Sequence, residues 1–406
     1  MLEGVVRKIF RVGDLTVHLS GRTFRAGDGT GRPVVVRIGD RTARGILFNP
    51  EMAVGEGYMD GDVVLEQGDV WDFFELIGRN DRHDPVKPRG LADYLRRWTA
   101  RRIATFNDRI RAKKNVAHHY DLSNDLYRRF LDEDMQYSCA YFARPDMTLE
   151  EAQAAKRAHI CAKLRLEPGM KVLDIGCGWG GLGLEMAGKW RCEVHGVTLS
   201  EEQLKVAQQR ARDAGLADRA KFSLTDYREV VGPFDRIVSV GMFEHVGVPN
   251  YPAFFGQVRR LLAEDGVALL HSIGRRGPPG ETGSWMQKYI FPGGYIPSLS
   301  EVFPATEDSG LMVTDVEILR LHYAETLKAW RARFTAQREA IAEIYDERFC
   351  RMWEFYLAAA ERSFRYMGHM IFQMQLTKRV DALPITRDYM VDIERAGPAK
   401  ALQAAE

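Results

Sequence analysis

Two side chains that can hold or move protons end an apolar run in the segment SVGMFEHVG, residues 239–247. Glu244 and His245 follow residues whose pattern predicts a buried strand. An acid in that position needs a partner or water, because an unpaired buried carboxylate is costly. His271 ends the next predicted strand, in VALLHSIG. An acid and an imidazole at two strand ends are groups suited to general acid–base chemistry.

A glycine-rich turn, DIGCGWGG at residues 174–181, follows an earlier predicted strand. Such a turn lets the backbone approach a ligand closely and brings a helix N-terminus near it. Gly176, Gly178 and Gly181 match the G-x-G-x-x-G spacing of dinucleotide sites. The second strand, however, ends in HGVTLSEEQ and lacks the acidic ribose ligand that nicotinamide sites place about 20 residues on. We therefore disfavour a dehydrogenase.

Alternating strand and helix patterns must position these groups. Strands are predicted at 171–175, 193–198, 220–225, 235–241, 266–272 and 313–321. A Thr148-x-x-Glu151 capping box opens a helix that runs to about Leu166, and the segment from Ala324 to Gln375 is predicted to be largely helical. The pattern predicts a doubly wound α/β domain, in which ligands bind beyond the carboxyl ends of the strands. Glu244, His271 and the glycine-rich turn should therefore converge on one cleft.

The N-terminal part has a different composition. Residues 12–66 predict short strands joined by turns in a small domain, and residues 78–90 resemble a linker. The formal net charge of +1 gives no reason to expect a nucleic-acid partner. Five dispersed cysteines without paired spacing predict reduced thiols in a cytosol, and no metal site. The N-terminus lacks a signal-type apolar core, and no apolar run is long enough to cross a bilayer, so we expect any membrane contact to be peripheral.

A basic stretch runs from Lys87 to Lys114 and contains ten Lys or Arg residues but only two Asp residues. Apolar residues interleave with them in an amphipathic helical pattern. One interpretation is a surface for anionic lipid headgroups, to which each basic side chain contributes about 1 kcal/mol. The other is a solvated helix that packs on a neighbouring domain. The pattern alone favours neither.

An ordered set of motifs resembles the cyclopropane-fatty-acyl-phospholipid synthases and the related mycolic acid cyclopropane synthases. The motifs are HHYDLSNDLY, MQYSCAYF, VLDIGCGWGG, GVTLSEEQ, FEHVG, LLHSIG, WMQKYIFPGGYIPS and HYAETLKAW. The resemblance spans roughly residues 115–390 and implies a Rossmann-like class I methyltransferase domain with added helices, plus a small N-terminal α+β domain. We expect the N-terminal domain at 1–80, a linker and basic helix at 81–115, the catalytic domain at 116–395 and a flexible tail at 396–406.

The resemblance implies a reaction in which S-adenosylmethionine donates its methyl group to the cis double bond of a phospholipid acyl chain. A carbocation forms, and loss of a proton to a bound bicarbonate ion closes the ring. The implied bicarbonate pocket comprises Cys139, Glu244, His271, the backbone of Ile273, and Tyr323. Imidazole, phenol and backbone N–H groups can donate to such an ion, and a carboxylate can accept from its protonated oxygen.

The implied S-adenosylmethionine site comprises Tyr137, Ser138, Gly176, Gly178, Thr198, Leu199, Gln203, Asp226 and Tyr227. Tyr227 would lie against the adenine. One departure concerns a late helix, where many family members carry a cysteine in a segment like NACAGAF and this chain has Ala360 in AAAERSF. Either that cysteine is dispensable or this enzyme is impaired, and we favour the first because the implied pocket requires no nucleophile.

The leading hypothesis is a cytoplasmic enzyme that is peripherally associated with the membrane and acts on unsaturated phospholipids, with no nucleic-acid partner. The resemblance further implies a homodimer. An alternative keeps the fold and cofactor but yields a methylene- or methyl-branched acyl chain, because the product depends on where the proton leaves. A noncatalytic lipid-binding protein is a second alternative, disfavoured by the complete motif set. A nucleic-acid methyltransferase is a third, disfavoured because no N-P-P-Y or D-P-P-Y motif is present.

Overall fold

The computed structural model describes residues 2–81 and 123–403, and its contacts divide the chain into two compact units. The described part of the first unit comprises 2–81, 282–292 and 324–369. The second comprises 123–281, 293–323 and 370–403. The predicted catalytic domain included residues 282–292 and 324–369, whereas these segments pack within the first unit. The basic stretch between Lys87 and Lys114 lies outside the described residues.

Helices and strands are numbered separately in chain order. The described helices are α1 (Leu2–Ile9), α2 (Asp40–Ile46), α3 (Pro50–Met59), α4 (Val70–Asp81), α5 (Asn124–Phe130), α6 (Leu149–Leu164), α7 (Gly181–Lys189), α8 (Glu201–Asp213), α9 (Tyr251–Leu261), α10 (Ser284–Tyr289), α11 (Leu299–Ser309), α12 (His322–Ala336), α13 (Arg338–Ile344), α14 (Glu347–Tyr366) and α15 (Asp388–Gln403). The strands are β1 (Asp14–Leu19), β2 (Arg22–Ala26), β3 (Pro33–Ile38), β4 (Val63–Gln67), β5 (Lys171–Ile175), β6 (Glu193–Thr198), β7 (Ala220–Leu224), β8 (Phe234–Val240), β9 (Leu262–Arg275), β10 (Met312–Leu319) and β11 (His369–Thr377).

The first unit contains a four-stranded sheet in the order β2-β1-β3-β4. The central strands β1 and β3 are parallel, and the outer pairs are antiparallel. Alternating residues of β1 and β3, including Val17 and Val36, are buried in its apolar core. Helices α3, α4 and α14 pack together, and Trp285 of α10 lies against Phe355 with 4.7 Å between ring centroids. Strands and helices are thus combined in this unit.

The second unit is built on a seven-stranded sheet in the order β10-β11-β9-β8-β5-β6-β7. β6 and β8 flank β5 and run parallel to it, β7 runs parallel to β6, and β9 runs parallel to β8. The central strands are almost continuously buried, as expected for a parallel sheet covered on both faces. The predicted doubly wound α/β fold is confirmed. Parallel pairing brings the carboxyl ends of β5, β8 and β9 to one edge, where the chemistry was predicted.

Local signals set several boundaries. Thr148 and Glu151 form the predicted capping box at the start of α6. The predicted linker at 78–90 begins too early, because α4 continues to Asp81. The helical segment predicted to reach Gln375 ends earlier, since Gly368 adopts a φ of +78° after α14 and β11 follows. Within the described ranges, each helix is too short or too polar to cross a membrane.

Candidate functional site

A cavity opens beyond the carboxyl end of β5, where the glycine-rich turn leads into α7. Gly176 in this turn has a φ of +84°, and a Cβ built there would lie 2.9 Å from the Cβ of Met242. The Gly176 N–H donates to the carbonyl oxygen of Val197 at 2.9 Å, which ties the turn to β6. Both the backbone conformation and the space therefore require glycine, and they keep bare backbone at the cavity wall.

All nine residues that the resemblance assigned to the cofactor line this cavity. They are Tyr137, Ser138, Gly176, Gly178, Thr198, Leu199, Gln203, Asp226 and Tyr227. The lining also contains residues that the sequence analysis did not assign, among them Gln136, Asp174, Trp179, Arg228, His245 and Asn250. Gln136, Asp174 and His245 stand inside quoted motifs, so their place in MQYSCAYF, DIGCGWGG and FEHVG was the available signal. The binding role of the nine residues stays a prediction.

The end of β6 presents a polar but uncharged surface to the cavity. The Thr198 hydroxyl donates to Gln203 Oε1 at 3.1 Å and accepts from the Ser200 N–H at 3.2 Å. The Ser200 hydroxyl accepts from the Gln203 N–H at 3.3 Å and caps α8. An amide and a hydroxyl thus stand at the position where nicotinamide sites carry an acid.

The segment after β7 supplies an acid and an aromatic ring. The Asp226 carboxylate accepts from the Arg228 guanidinium, at 2.8 Å from Nε and 2.5 Å from Nη2. The Tyr227 ring packs edge to face against Phe254, with 5.5 Å between centroids. Burial raises the pKa of Tyr227 to about 12, so its phenol stays neutral. A fixed neutral ring at the cavity wall suits contact with a planar base.

Asp174 is a buried carboxylate in the cavity wall. Its Oδ2 has no hydrogen-bond partner among the described residues, and burial raises the pKa of the carboxyl to about 7. An open buried oxygen of this kind fits a ligand that brings a cation or an N–H donor. S-adenosylmethionine carries an amino group and a sulfonium, so the residues present fit this cofactor.

A buried lysine holds one wall of the cavity in place. Lys156 of α6 donates from Nζ to Ser138 Oγ at 2.8 Å and to Gln136 Oε1 at 2.5 Å. The Gln153 amide on the same helix donates to the Ser138 carbonyl oxygen at 2.9 Å. Burial lowers the pKa of Lys156 to about 8. The segment that contains Tyr137 and Ser138 is therefore fixed by α6.

Glu244 lies in a short 3-10 helix, Phe243–His245, that follows β8. Its Oε1 accepts from the backbone N–H of Ile273 at 2.6 Å, while its Oε2 is buried with no partner among the described residues. Burial raises the pKa of Glu244 to about 7. The Ile273 N–H that the resemblance assigned to the anion is thus used by Glu244 in this structure.

His271 is buried near the end of β9, two residues before Ile273. Its Nδ1 lies 3.1 Å from Nε2 of Gln373, and its own Nε2 has no partner in the described part of the chain. Burial, together with the positive charge of Lys156, lowers the pKa of His271 well below its ordinary value. The imidazole is therefore neutral near pH 7. We call Glu244, His271, Ile273 and Gln373 the Glu244–His271 cluster.

Cys139 and Tyr323, the last two residues of the implied bicarbonate pocket, lie on segments that are joined by a hydrogen bond. Cys139 is buried, and its thiol donates to the Ala140 carbonyl oxygen at 3.2 Å. Tyr323 is half-buried at the start of α12, next to His322. The Phe142 N–H donates to Nδ1 of His322 at 3.0 Å. The structure thus joins Glu244 to Ile273 directly and ties the Cys139 segment to the Tyr323 segment.

Comparisons with known proteins agree with the motifs. The family model described as mycolic acid cyclopropane synthetase matches residues 107–374. A cyclopropane-fatty-acyl-phospholipid synthase of Escherichia coli K12 is 42% identical over 336 residues, which cover 83% of this chain and 85% of that protein. A tuberculostearic acid methyltransferase of Mycobacterium tuberculosis is 38% identical over 381 residues, covering 89% of this chain and 87% of that protein.

The fold has solved relatives as well. A crystal structure of a mycolic acid cyclopropane synthase complexed with SAH and CTAB aligns with a TM-score of 0.62 at 37% identity. The alignment covers 67% of this chain and 99% of that chain. The resemblance inferred from the motifs is therefore confirmed at the level of both sequence and fold.

Proposed function

Because this chain belongs to the mycolic acid cyclopropane synthetase family, we propose that it converts the cis double bond of an unsaturated phospholipid acyl chain into a cyclopropane ring. One observation supports this proposal: the short segment from Met242 to His245 contacts both the cofactor cavity and strand β9. Met242 and His245 line the cofactor cavity, while Glu244 between them bonds to β9. A buried acid therefore lies beside the cavity, where a proton must leave the reacting acyl chain.

S-adenosylmethionine, when bound, supplies an electrophilic methyl group. The chain's own contribution at that site is to position the cofactor, since an alkene offers no polar handle for activation. The fixed segment at Tyr137 and Ser138, the glycine-rich turn and the ring of Tyr227 together define the cavity wall. Burial of the surrounding residues also excludes water, which would otherwise capture a cationic intermediate.

Bicarbonate, when bound, supplies a base, and the Glu244–His271 cluster is the place we assign to it. The neutral His271 offers its open Nε2, and Glu244 offers its open Oε2. A pKa of about 7 lets the Glu244 carboxyl hold a proton near neutrality. An anion can then lie beside Glu244 without a second negative charge next to it. Cys139 and Tyr323, on the two segments joined by the hydrogen bond between Phe142 and His322, complete the proposed pocket.

The phospholipid substrate is supported by the similarity to the Escherichia coli cyclopropane-fatty-acyl-phospholipid synthase. Peripheral membrane association rests on the sequence, in which ten Lys or Arg residues lie between Lys87 and Lys114. Homodimer formation rests on the resemblance alone. A methylene- or methyl-branched product is the second candidate, because the relative named a tuberculostearic acid methyltransferase covers 89% of this chain.

The test uses the purified protein, S-adenosylmethionine and liposomes that contain a cis-unsaturated phospholipid. We expect the released acyl chains to gain one CH₂ by mass spectrometry and to show cyclopropane ring protons by NMR. A branched or methylene product without ring protons would favour the second candidate. Cofactor binding without any acyl product, and without release of S-adenosylhomocysteine, would overturn the proposed activity and favour the noncatalytic lipid-binding alternative.

A further inference from the structure

Gln373 is a fully buried amide on β11, the strand next to β9 in the sheet. Its side-chain nitrogen Nε2 lies 3.1 Å from Nδ1 of His271. Its Oε1 is buried without a partner among the described residues. Gln373 therefore makes one polar side-chain contact that the structure records, and that contact is with the imidazole.

The chemistry of this contact fixes the proton on His271. With the Gln373 amide oriented as in this structure, its NH₂ group faces Nδ1 and can only donate, so Nδ1 accepts and carries no proton. Because the pKa of His271 is lowered by burial, the ring is neutral and holds a single proton. That proton is left on Nε2, the ring nitrogen that has no partner in the described structure.

We infer that Gln373 is a positioning residue that selects the Nε2–H tautomer of His271 and fixes the ring, so that Nε2–H is aimed as a donor at a bound oxyanion. The identity of the oxyanion as bicarbonate rests on the proposed function; the tautomer does not. An unprotonated Nε2 would repel an anion's oxygen. By holding Nδ1 as the acceptor, the Gln373 amide leaves Nε2–H as the donor of the ring.

A second buried amide on the same strand provides a contrast. Gln375 donates from Nε2 to the Lys163 carbonyl oxygen at 2.6 Å and contacts the Tyr389 hydroxyl at 2.7 Å. Its Oε1 accepts from the Thr314 hydroxyl at 3.0 Å. Gln375 is thus bonded at both ends to groups outside the Glu244–His271 cluster and serves as the matched control.

The experiment measures the tautomer directly in the full-length protein labelled with ¹⁵N-histidine. Long-range ¹H–¹⁵N correlation spectra distinguish a protonated Nε2 from a protonated Nδ1, and His271→Gln assigns the signal among the ten histidines. We expect wild-type His271 to carry its proton on Nε2. Gln373→Glu should move the proton to Nδ1, because a carboxylate accepts, and Gln373→Leu should leave a mixture of tautomers.

Enzyme assays in CO₂-depleted buffer with added bicarbonate give the second readout. For both Gln373 variants, the bicarbonate concentration for half-maximal turnover should rise about tenfold or more, with the affinity for S-adenosylmethionine changed less than about twofold. Gln375→Leu should lower Tm yet leave the His271 tautomer and the bicarbonate dependence unchanged. This split separates positioning of His271 from a general loss of packing.

A wild-type His271 protonated on Nδ1 would overturn the inference, whether or not any variant folds. So would a folded Gln373→Leu protein with wild-type tautomer and bicarbonate dependence. If the tautomer is Nε2–H and responds to Gln373 but turnover ignores bicarbonate, Gln373 keeps its role and the proposed anion is wrong. The failure of the proposed function is thereby distinguishable from the failure of this inference.

Discussion

The cofactor cavity and the Glu244–His271 cluster lie at the ends of the same parallel strands, yet they differ in how far their polar groups are hydrogen-bonded. In the cavity, Thr198 bonds to Gln203 and Asp226 bonds to Arg228, with Asp174 as an exception. In the cluster, Glu244 and His271 each keep one buried polar atom that has no partner among the described residues. Hydrogen bonds between its own side chains therefore largely fix the shape of the cavity. The cluster instead contains buried polar atoms that can still form hydrogen bonds with a ligand. Such groups lower stability and are retained where they serve function.

The largest expected effect comes from Glu244→Gln, which changes the cluster while leaving the cavity lining intact. The amide keeps the size of the side chain but can neither ionise nor hold a transferable proton. Turnover on unsaturated liposomes should fall at least about a hundredfold, because the amide cannot exchange a proton with the bound ion that we propose as the base. The dissociation constant of S-adenosylmethionine, measured by calorimetry, should change less than about twofold. Unchanged turnover would remove Glu244 from the mechanism.

The same variant has a pH-dependent control. Burial raises the folded-state pKa of Glu244 from 4.5 to about 7. Below pH 4.5 the carboxyl is protonated in both the folded and the unfolded state, and its contribution to stability is fully present. This contribution is lost as the pH rises through about 7, because the buried carboxyl must then ionise. Gln cannot ionise, so Tm of Glu244→Gln relative to wild type should be higher at pH 8 than at pH 5. A difference independent of pH would mean that the Glu244 charge is compensated inside the protein.

A smaller effect, confined to the cavity, is expected from Gly176→Ala. The new Cβ would lie 2.9 Å from Met242 Cβ, on a backbone whose φ is +84°. Strain of this kind costs about 1–3 kcal/mol and shifts the turn, so the affinity for S-adenosylmethionine should fall about tenfold. Turnover at saturating cofactor should stay within about threefold of wild type, because among the described residues the new Cβ contacts Met242 and no member of the cluster.

Gly215→Ala is the matched control for Gly176→Ala. Gly215 has a φ of +66°, but no atom of the described residues lies within 4 Å of an added Cβ, and it follows α8, outside the cavity lining. This variant should lose about 1 kcal/mol of stability without loss of cofactor affinity. Equal cofactor affinity in both alanine variants and wild type would show that the turn at Gly176 does not shape the site.

The two regions also differ in how far the sequence predicts them. The cavity is built from contiguous motifs such as DIGCGWGG and VTLSEEQ, so its strand ends and lining residues follow from local patterns. The cluster depends on pairing between β9 and a strand about 100 residues later. Most of β11 falls in the segment from Ala324 to Gln375 that was predicted to be largely helical. Gln373 is buried because β11 is an inner strand of the sheet, and its contact with His271 joins residues 102 positions apart, which has no local signal.

The smallest expected effect tests whether chemistry extends beyond these two regions. Ala360, on α14 of the first unit, stands where the motif resemblance implies a cysteine in many family members. Beside it, the Glu361 carboxylate accepts from Arg331 at 3.2 Å and from Arg365 at 2.8 Å, so the neighbouring charge is already balanced. Ala360→Cys should therefore change turnover less than about twofold.

Ala359→Cys supplies the control for that variant, because both alanines are half-buried on the same helix. Thiol labelling would establish that each new cysteine is present and reduced before turnover is compared. A tenfold gain in Ala360→Cys alone would mean that the introduced thiol assists the reaction and that the Glu244–His271 cluster does not act by itself. Equal turnover in both variants and wild type would show that a thiol at position 360 adds nothing to the reaction, as expected if the proposed base is a bound ion.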